Sequence, residues 1–163
     1  MDKIDYHLIS LLQENARMPL KQLAEKVFLS SPATAARLDR LEKHGIISGY
    51  SVRVNHKLLG YPIIAFINLE VQPPMKPVFY PFISSHPNVL ECNCVTGRFS
   101  MLIKVAFDST ENLDIFIGQL QTFGNTQTQI VFSTAKDTTG VDLENIMLGN
   151  FPEVPNVVNK QTT

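Results

Sequence analysis

Arg37 and Arg40 are the residues whose type and spacing point most directly to a chemistry. They lie three residues apart in the stretch Ser30–Tyr50, whose pattern predicts a helix with both guanidinium groups on one side. Leu38 and Leu41 share that spacing on a second stripe, roughly 100° further round the helix. A short helix with one apolar and one basic side suits a DNA groove, where arginine binds guanine or phosphate. The stretch therefore predicts contact with nucleic acid.

The ends of this helix are predicted from its capping residues. Ser31 can accept a hydrogen bond from the free N–H groups of the first turn, and Pro32 fits the first helical position. Gly45 suits the left-handed residue that ends many helices. The run Ile46–Tyr50 is predicted to be an extended strand, which would give the unit a winged character.

Two shorter helices are predicted before it. Asp2 can cap the first, and the second follows Pro19. The segment Phe28–Ser30 forms a tight corner, so the three helices make a helix-turn-helix unit whose last helix begins near base edges in the major groove. The predicted DNA-binding residues are Ser31, Ala33, Thr34, Ala36, Arg37 and Arg40 on that helix, with Lys21, Lys43 and Arg53 as candidates for phosphate contacts.

A plainer interpretation of the two arginines stays open. Asp39 and Glu42 lie on the same helix and could pair with Arg37 and Arg40, which would leave only a solvated charged face. Each candidate phosphate contact is also compatible with an ordinary surface side chain. The small residues early in the helix predict weak, shape-tolerant reading of DNA rather than a strict base code.

A second domain of a different type is predicted after residue 60. Its strands and helices follow the order βαββαβ, the ferredoxin-like plan. Both helices would cover one face of the sheet, and a second copy of the chain could cover the other. The predicted elements are a strand over 63–71, a proline-limited helix over 78–85, strands over 89–96 and 99–107 joined at Gly97-Arg98, a helix capped by Ser109 and closed by Gly124, and a strand over 126–134.

The predicted fold class is therefore α+β, with a C-terminal extension whose role the pattern leaves open. In that extension Asp142 can cap a short helix, Leu143–Leu148, and the remainder is either a disordered tail or an arm lying on a partner. The predicted domains are a winged helix-turn-helix over 1–50, a hinge over 51–60, a ferredoxin-like domain over 61–136 and the extension over 137–163.

Charge and composition favour this division. Residues 1–60 carry a net charge of +3 and residues 61–163 a net charge of −4, as expected when a phosphate-binding module precedes a different one. The 163 residues contain no apolar run long enough to span a membrane, and the N-terminus lacks the pattern of a signal peptide. A cytoplasmic location is therefore expected.

No catalytic, metal-binding or cofactor-binding pattern is found in the sequence. Cys92 and Cys94 are predicted to be buried thiols, because a zinc site would need a second pair at suitable spacing. The histidines fall on separate elements and are predicted to be surface residues; they are His7, His44, His56 and His86.

A series of short sequence pieces runs through roughly residues 2–136. They are Ile4-Asp5, Leu12-Gln13, Asn15-Ala16-Arg17, Leu23-Ala24, Leu29-Ser30, Arg37-Leu38, Arg40-Leu41-Glu42, Gly45-Ile46-Ile47, Gly49-Tyr50, Asn55, Leu59-Gly60, Val89, Glu91-Cys92, Val95-Thr96-Gly97, Leu102-Ile103-Lys104-Val105 and Thr126-Gln127-Thr128. In this order and spacing the chain resembles the Lrp/AsnC family of transcription regulators, named for the leucine-responsive and asparagine regulators.

The resemblance implies a DNA-binding regulator whose second domain dimerises and assembles dimers into larger rings such as an octamer. It also implies that small molecules, commonly amino acids, bind between dimers. The family commonly has acidic residues where this chain has Arg98 and Ser100, and arginine prefers carboxylate or phosphate. Either the ligand lies differently, or its chemistry differs, or there is none. The candidate effector-binding residues are Thr96, Gly97, Arg98, Phe99, Ser100, Thr126 and Thr128.

Two alternatives to a DNA-binding regulator are considered. Siroheme decarboxylases are built on a similar two-module plan, but their counterpart of Gly45–Tyr50 typically carries paired arginines followed by Ile-Gly, which this chain lacks. The other alternative is a sensor that regulates another protein and has lost DNA binding.

Overall fold

The computed structural model describes residues 1–152 and divides the chain into two compact units. The first unit, called the head here, comprises Met1–Val52 and the C-terminal region from Asp137. The second unit, called the body, comprises Arg53–Lys136. The alternatives for the end of the chain, a disordered tail or an arm, fall largely on residues 153–163, which lie outside the described residues.

The helices and strands follow the predicted order. In the head, the three predicted N-terminal helices are confirmed, and in the body the βαββαβ order is confirmed. The elements are α1 (Lys3–Glu14), α2 (Leu20–Lys26), α3 (Ser31–Lys43), β1 (Ile63–Val71), α4 (Lys76–Ser85), β2 (Val89–Cys94), β3 (Met101–Phe107), α5 (Thr110–Gln121), β4 (Gly124–Ile130) and α6 (Leu143–Leu148).

The head closes around a small apolar cluster between α1 and α2. Leu8, Leu11, Leu23 and Val27 form its buried centre, since helical spacing places each pair on one face. Asp2 caps α1 as predicted, and its side chain accepts a hydrogen bond from the N–H of residue 5. The cap fixes the start of α1, and the cluster fixes the face that α1 turns inward.

The winged character predicted after α3 is wrong for this structure. The described chain contains no strand between the end of α3 and the start of β1, and residues 46–54 are irregular. A strand forms only where a neighbouring strand takes up its N–H and C=O groups, and residues 1–152 of this chain offer none here. Residues 56–60 then form a turn that ends at Gly60, whose φ is +89°.

The body is a four-stranded antiparallel sheet in the order β2-β3-β1-β4. Ile67 on β1 lies opposite Ile103 on β3 and Thr128 on β4, which places β1 and β3 at the centre. Alternate residues of these strands are buried against α4 and α5, where Phe79 and Phe116 complete the core. The core therefore occupies one face of the sheet, as the pattern predicts.

Several predicted bounds in the body are wrong by a few residues. Helix α4 begins earlier than residue 78 because Pro77 lies in its first turn, where proline is tolerated, and Pro81 lies inside it. Gly124 opens β4 rather than closing α5. A Cβ at this position would lie 1.8 Å from the carbonyl oxygen of Glu70, so only glycine allows this close approach of the two strands.

The described part of the C-terminal extension belongs to the head. Asp142 caps α6 and Gly149, with φ +70°, ends it, as predicted. Helix α6 contacts α1, where Glu144 and the His7 ring form a hydrogen bond of 2.5 Å. No helix within residues 1–152 is long and apolar enough to cross a membrane.

Candidate nucleic-acid interface

Helix α3 begins one residue earlier than predicted. The cap is Ser30, whose hydroxyl oxygen accepts a hydrogen bond of 3.3 Å from the N–H of Ala33, while Ser31 is the first helical residue. The prediction that Ser31 is the cap is therefore wrong, because two adjacent serines offer the same hydroxyl. The predicted stop at Gly45 is confirmed, with φ +69°.

The corner before α3 contains a strained and exposed aromatic residue. Phe28 has φ +56°, and among residues 1–152 no other residue except glycine has a positive φ. Its side chain is 93% exposed, so no packing in the described chain compensates for the strain. The corner was predicted from the sequence, but its backbone conformation was not, because that conformation depends on the angle between α2 and α3.

One side of α3 is open to solvent along its whole length. Ala33, Ala36, Arg40 and Lys43 are exposed and recur at intervals of three and four residues, so they form one stripe. The first two side chains are small, which lets the helix backbone approach a flat or grooved partner closely. Side chains that can donate hydrogen bonds occur only in the C-terminal half of the stripe.

Thr34 does not belong to this stripe, and its predicted contact with DNA is wrong. Its side chain is fully buried, and Oγ1 donates a hydrogen bond of 3.1 Å to the carbonyl oxygen of Ser30. A sequence signal was available, because Thr34 precedes Leu38 by four residues and Leu41 by seven and so shares their inward face. Ser31 is half-buried at the start of the helix.

Arg37 and Arg40 are joined to the N-terminus of α1 rather than to acids of their own helix. Asp5 accepts a hydrogen bond of 2.8 Å from Nη1 of Arg37 and bonds of 2.8 and 3.0 Å from Nη2 of Arg40. Asp2 accepts a bond of 2.7 Å from the same Nη1 of Arg37. Two carboxylates and two guanidinium groups therefore form one network.

The two acids of α3 that could have paired with the arginines bind other side chains. Asp39 accepts a hydrogen bond of 2.6 Å from Lys43, and Glu42 accepts one of 2.7 Å from the Tyr50 hydroxyl. Burial together with Glu42 raises the pKa of Tyr50 to about 12. The interpretation of α3 as a helix whose arginines are neutralised within it is therefore wrong.

The network keeps its members ionised. Burial raises the pKa of Asp5, but the N–H of Asp2 and the Arg37 guanidinium outweigh that effect, so the pKa lies below its usual 3.8. The hydrogen bonds that Arg37 donates raise its own pKa, with a larger effect from Asp2 than from Asp5. Asp5 is fully buried, whereas the side chains of Arg37 and Arg40 are 24% and 52% exposed.

The remaining basic candidates lie on the surface. Lys21 on α2 is exposed and has no ion-pair partner within residues 1–152. Arg53 is also exposed but belongs to the body, at its first residue. Lys43 carries a raised pKa because Asp39 accepts its hydrogen bond. Helices α2 and α3 therefore belong to the head, and Arg53 belongs to the body.

The candidate effector residues divide between an exposed hairpin and a half-buried strand edge. In the hairpin, Gly97 has φ +111° and the Arg98 guanidinium lies 5.3 Å from the centre of the Phe99 ring. Ser100 is engaged by β1, since its Oγ accepts a bond of 3.0 Å from the N–H of Val71. Thr96 is exposed next to this turn.

Strand β1 brings the hairpin and β4 together. The N–H of Ser100 donates a bond of 3.1 Å to the carbonyl oxygen of Leu69, and Thr126 lies opposite Leu69 on the other side. Thr128 follows on the same face of β4, and both threonines are half-buried. The base of the hairpin and Thr126 therefore flank one residue of β1.

A polar cavity in the body was missed by sequence reasoning. It has a volume of about 290 Å³ and lies where β3 leads into α5. His86, predicted at the surface, is half-buried here, with its ring centre 4.4 Å from that of Phe116, and burial lowers its pKa. The lining residues are Tyr61, His86, Asn88, Phe107, Asp108, Asn112, Ile115, Phe116 and Gln119.

The described chain offers no metal centre. Within residues 1–152, no group of three or more His, Cys, Asp or Glu side chains is placed to hold a metal ion. Cys92 and Cys94 are free thiols, half-buried and exposed respectively, so the prediction of burial is wrong for Cys94. Burial, with a smaller effect of Cys94, raises the pKa of the Cys92 thiol.

A helix-turn-helix head with an open basic helix, followed by an antiparallel α+β body, is the architecture of a DNA-binding regulator with a ligand-binding domain. The chain belongs to the Lrp/AsnC family. Residues 1–42 match the AsnC-type helix-turn-helix domain, and residues 64–141 match the Lrp/AsnC ligand binding domain. The region after residue 141 lies beyond both matches.

Relatives and solved structures agree with this assignment. The chain is 36% identical over 132 residues to the HTH-type transcriptional regulator LrpA of Bacillus subtilis, covering 80% of this chain and 97% of that protein. LrpC of B. subtilis has a similar structure, with a TM-score of 0.81, 28% identity and coverage of 85% and 99%. A transcriptional regulator of Neisseria meningitidis in complex with L-Met superposes with a TM-score of 0.84, 26% identity and coverage of 90% and 99%. The chain is accordingly a DNA-binding transcription regulator.

Proposed function

We propose that the chain regulates transcription by laying the exposed stripe of α3 in the major groove of duplex DNA. The observation that carries the proposal is the stripe itself, in which Ala33, Ala36, Arg40 and Lys43 face solvent while Thr34 faces inward. An amphipathic helix that follows a helix-turn-helix corner presents its exposed face to base edges.

The stripe supports a loose sequence code. Ala33 and Ala36 can contact only methyl groups or allow close approach, whereas Arg40 can donate two hydrogen bonds to guanine. Ser31 and Arg37 are half-buried at the border of the stripe. With so few donors per head, discrimination would rest on two heads bound at a fixed spacing and on DNA shape.

Phosphate contacts are assigned to basic side chains outside the stripe. Lys21 on α2 and Arg53 at the start of the body are exposed, as are Lys26 and Lys57. Each phosphate contact should contribute about 0.9 to the slope of log affinity against log salt concentration. Phosphate contacts of this kind would strengthen binding to DNA without specifying its sequence.

Assembly of two copies is proposed through the sheet of the body. The face of the sheet away from α4 and α5 carries Ile64, Phe66 and Leu102, which remain only half-buried in one chain. Lys104 lies over the Phe66 ring at 5.8 Å on that face. A second copy would remove this apolar surface from water. Further assembly of dimers, up to an octamer, is part of the proposal.

An effector carrying a carboxylate is proposed to bind at the hairpin. Arg98 has no acidic partner within residues 1–152, and the Phe99 ring beside it offers an apolar contact. An amino acid has both a carboxylate for Arg98 and a side chain for Phe99. The L-Met complex of the Neisseria regulator supports this chemical class. Thr96, Gly97, Thr126 and Thr128 complete the proposed site, whereas Ser100 supports it through β1.

The test is a gel shift with the duplex upstream of the chain's own gene, with and without a panel of amino acids. Arg40→Ala should weaken binding by about 5- to 150-fold, the range expected when about 1–3 kcal/mol is lost from one base contact. Arg98→Ala is the matched control, since it removes the same charge from the body. It should leave binding without effector unchanged and reduce the response to amino acids. Equal loss of DNA affinity in both variants would contradict the assignment.

The curated relatives are named as transcriptional regulators, and we propose no catalytic activity for this chain. A haem-precursor turnover assay on the purified protein checks the enzyme alternative directly. The alternative of a sensor without DNA binding is checked at low salt, where even non-specific retention of duplex should be visible if the head binds DNA.

A further inference from the structure

We propose that Asp5 positions Arg40 for DNA, and that Arg37 balances Asp5 rather than contacting DNA itself. The proposal rests on the proposed function, because it assigns roles within the DNA-binding face. Asp5 lies on α1 and Arg40 on α3, so the assignment depends on a contact between two helices that cannot be predicted from the sequence.

The hydrogen bonds of Asp5 fix it in place. It is fully buried and accepts bonds from Arg37, from Arg40 and, at 3.0 Å, from the backbone N–H of Asp2. The bond from Asp2 is part of the cap of α1, so the start of a helix holds the carboxylate. A buried carboxylate with this many donors has little freedom to rotate.

Arg40 is held at one guanidinium nitrogen and free at the other two. Only its Nη2 donates within residues 1–152, to both oxygens of Asp5, and half of its side chain is exposed. Because the guanidinium is planar and rigid, holding Nη2 restricts the directions in which Nη1 and Nε can point. A side chain that is already oriented loses less conformational entropy on binding, which favours the specific complex.

Arg37 differs in both respects. Its Nη1 is shared between Asp2 and Asp5, and its side chain is only 24% exposed. With two carboxylates around it, it supplies the charge that Asp5 needs in the interior. Arg37 is therefore the counter-charge of Asp5, and Arg40 is the residue that meets DNA.

The loss of charge and the loss of positioning should change the DNA affinity of Asp5→Asn in opposite directions. Removing a negative charge from the head should by itself strengthen binding to any duplex. Releasing Arg40 should weaken binding to the chain's own upstream duplex. Asp39→Asn is the matched control, because it removes one exposed carboxylate from α3 and leaves the contacts of Asp5 intact.

The experiment measures fluorescence anisotropy of two labelled duplexes of equal length, the chain's own upstream region and an unrelated sequence. Asp39→Asn should strengthen both and leave their affinity ratio unchanged. Asp5→Asn should lower that ratio about 10-fold, the order expected when one oriented base contact is lost. Partial unfolding would weaken both duplexes alike and leave the ratio unchanged, so the ratio separates positioning from a merely structural role.

Two further variants complete the test. Arg40→Ala should lower the ratio as far as Asp5→Asn, whereas Arg37→Met should leave it within about twofold of the wild type. If Asp5→Asn does not fold, Asp5→Asn/Arg37→Met removes the unpaired charge as well, and it should still show the lowered ratio.

Three results would overturn the proposal. The first is an unchanged or increased affinity ratio in Asp5→Asn, or in the double variant if that variant replaces it. The second is a fall of the ratio in Arg37→Met as large as that in Arg40→Ala. The third is a fall of the ratio in Asp39→Asn. Absence of wild-type binding to both duplexes at low salt would instead overturn the proposed DNA-binding mode, and the role of Asp5 with it.

Discussion

The head contains an ionised carboxylate in its interior, whereas the core of the body consists of aliphatic and aromatic side chains. Among residues 1–152, the buried polar side chains are Asp5 and Thr34, and both belong to the head. In the body, the ring of Phe82 lies 5.3 Å from that of Phe123 and 6.3 Å from that of Phe116. The two units are thus stabilised by different kinds of interaction.

The difference follows from what each unit has to present. The head offers cationic side chains on its surface, and an internal counter-charge such as Asp5 fixes their direction as well as their charge. The body supports a sheet and a hairpin, for which non-directional burial is sufficient. A buried ion pair contributes little net stability but specifies geometry, which is the property that a binding face requires.

Phe79→Ala should produce the largest loss of stability and would show how far the body depends on its aromatic core. Phe79 is fully buried and lies 5.5 Å from Phe123, so truncation leaves a cavity beside a second ring. We expect a loss of about 3–5 kcal/mol, measured by urea unfolding with circular dichroism. Val78→Ala, 60% exposed on the same helix, should change stability by less than about 0.5 kcal/mol. Similar losses in both variants would contradict this account of the core.

Asp5→Asn is the corresponding test in the head, and its effect should depend on pH. At pH 7 we expect a loss of about 1.5–3 kcal/mol, because hydrogen bonds to a charged group are removed. The pKa of Asp5 is lowered by folding, so its ionised form stabilises the folded state above pH 3.8, and this contribution is lost as the pH falls below that value. The difference in unfolding free energy between wild type and Asp5→Asn should therefore shrink below pH 3.8.

Asp39→Asn serves as the control for that series. Its side chain is 59% exposed and pairs only with Lys43 on the surface, so stability should change by less than about 0.5 kcal/mol. A difference between wild type and Asp5→Asn that stays constant from pH 7 to pH 3 would show that Asp5 does not act through its charge.

Local signals predicted most of the fold, because caps and apolar spacing lie close together in the sequence. Asp2, Ser109 and Asp142 cap the helices assigned to them, and the strand β1 was predicted over its full length. The wing was not predictable in the same way, since a strand over Ile46–Tyr50 needs a partner that sequence periodicity does not reveal.

The candidate site was predicted in its location but not in its contacts. The helix that carries Arg37 and Arg40 was identified, whereas their partner Asp5 lies more than 30 residues away on α1. Its position three residues before Leu8 on the buried face of α1 was the available signal. An acid on an apolar stripe predicts a buried ion pair, but the sequence does not say with which cation.

Two glycines of the body give opposite predictions for the same substitution and test its packing on a smaller scale. At Gly124 an added Cβ would meet the Glu70 carbonyl, so Gly124→Ala should destabilise the protein by about 1–3 kcal/mol. Gly118 lies within α5 with nothing within 4 Å of an added Cβ. Gly118→Ala should stabilise by about 0.5–1 kcal/mol through helix propensity. Thermal unfolding of both variants measures the pair, and equal signs would contradict the register of β1 and β4.

Phe28→Gly tests the head at the position where its backbone is strained and that of the body is not. In the body, the described residues with positive φ are all glycines, whereas the head places Phe28 at φ +56° with its ring exposed. Relief of left-handed strain should exceed the entropy cost of a glycine, so we expect a gain of about 0.5–1 kcal/mol in unfolding free energy. Phe28→Ala keeps a Cβ and should show little of this gain. If Phe28→Gly is instead destabilising by chemical denaturation, the ring must contribute a contact that outweighs the strain of its backbone.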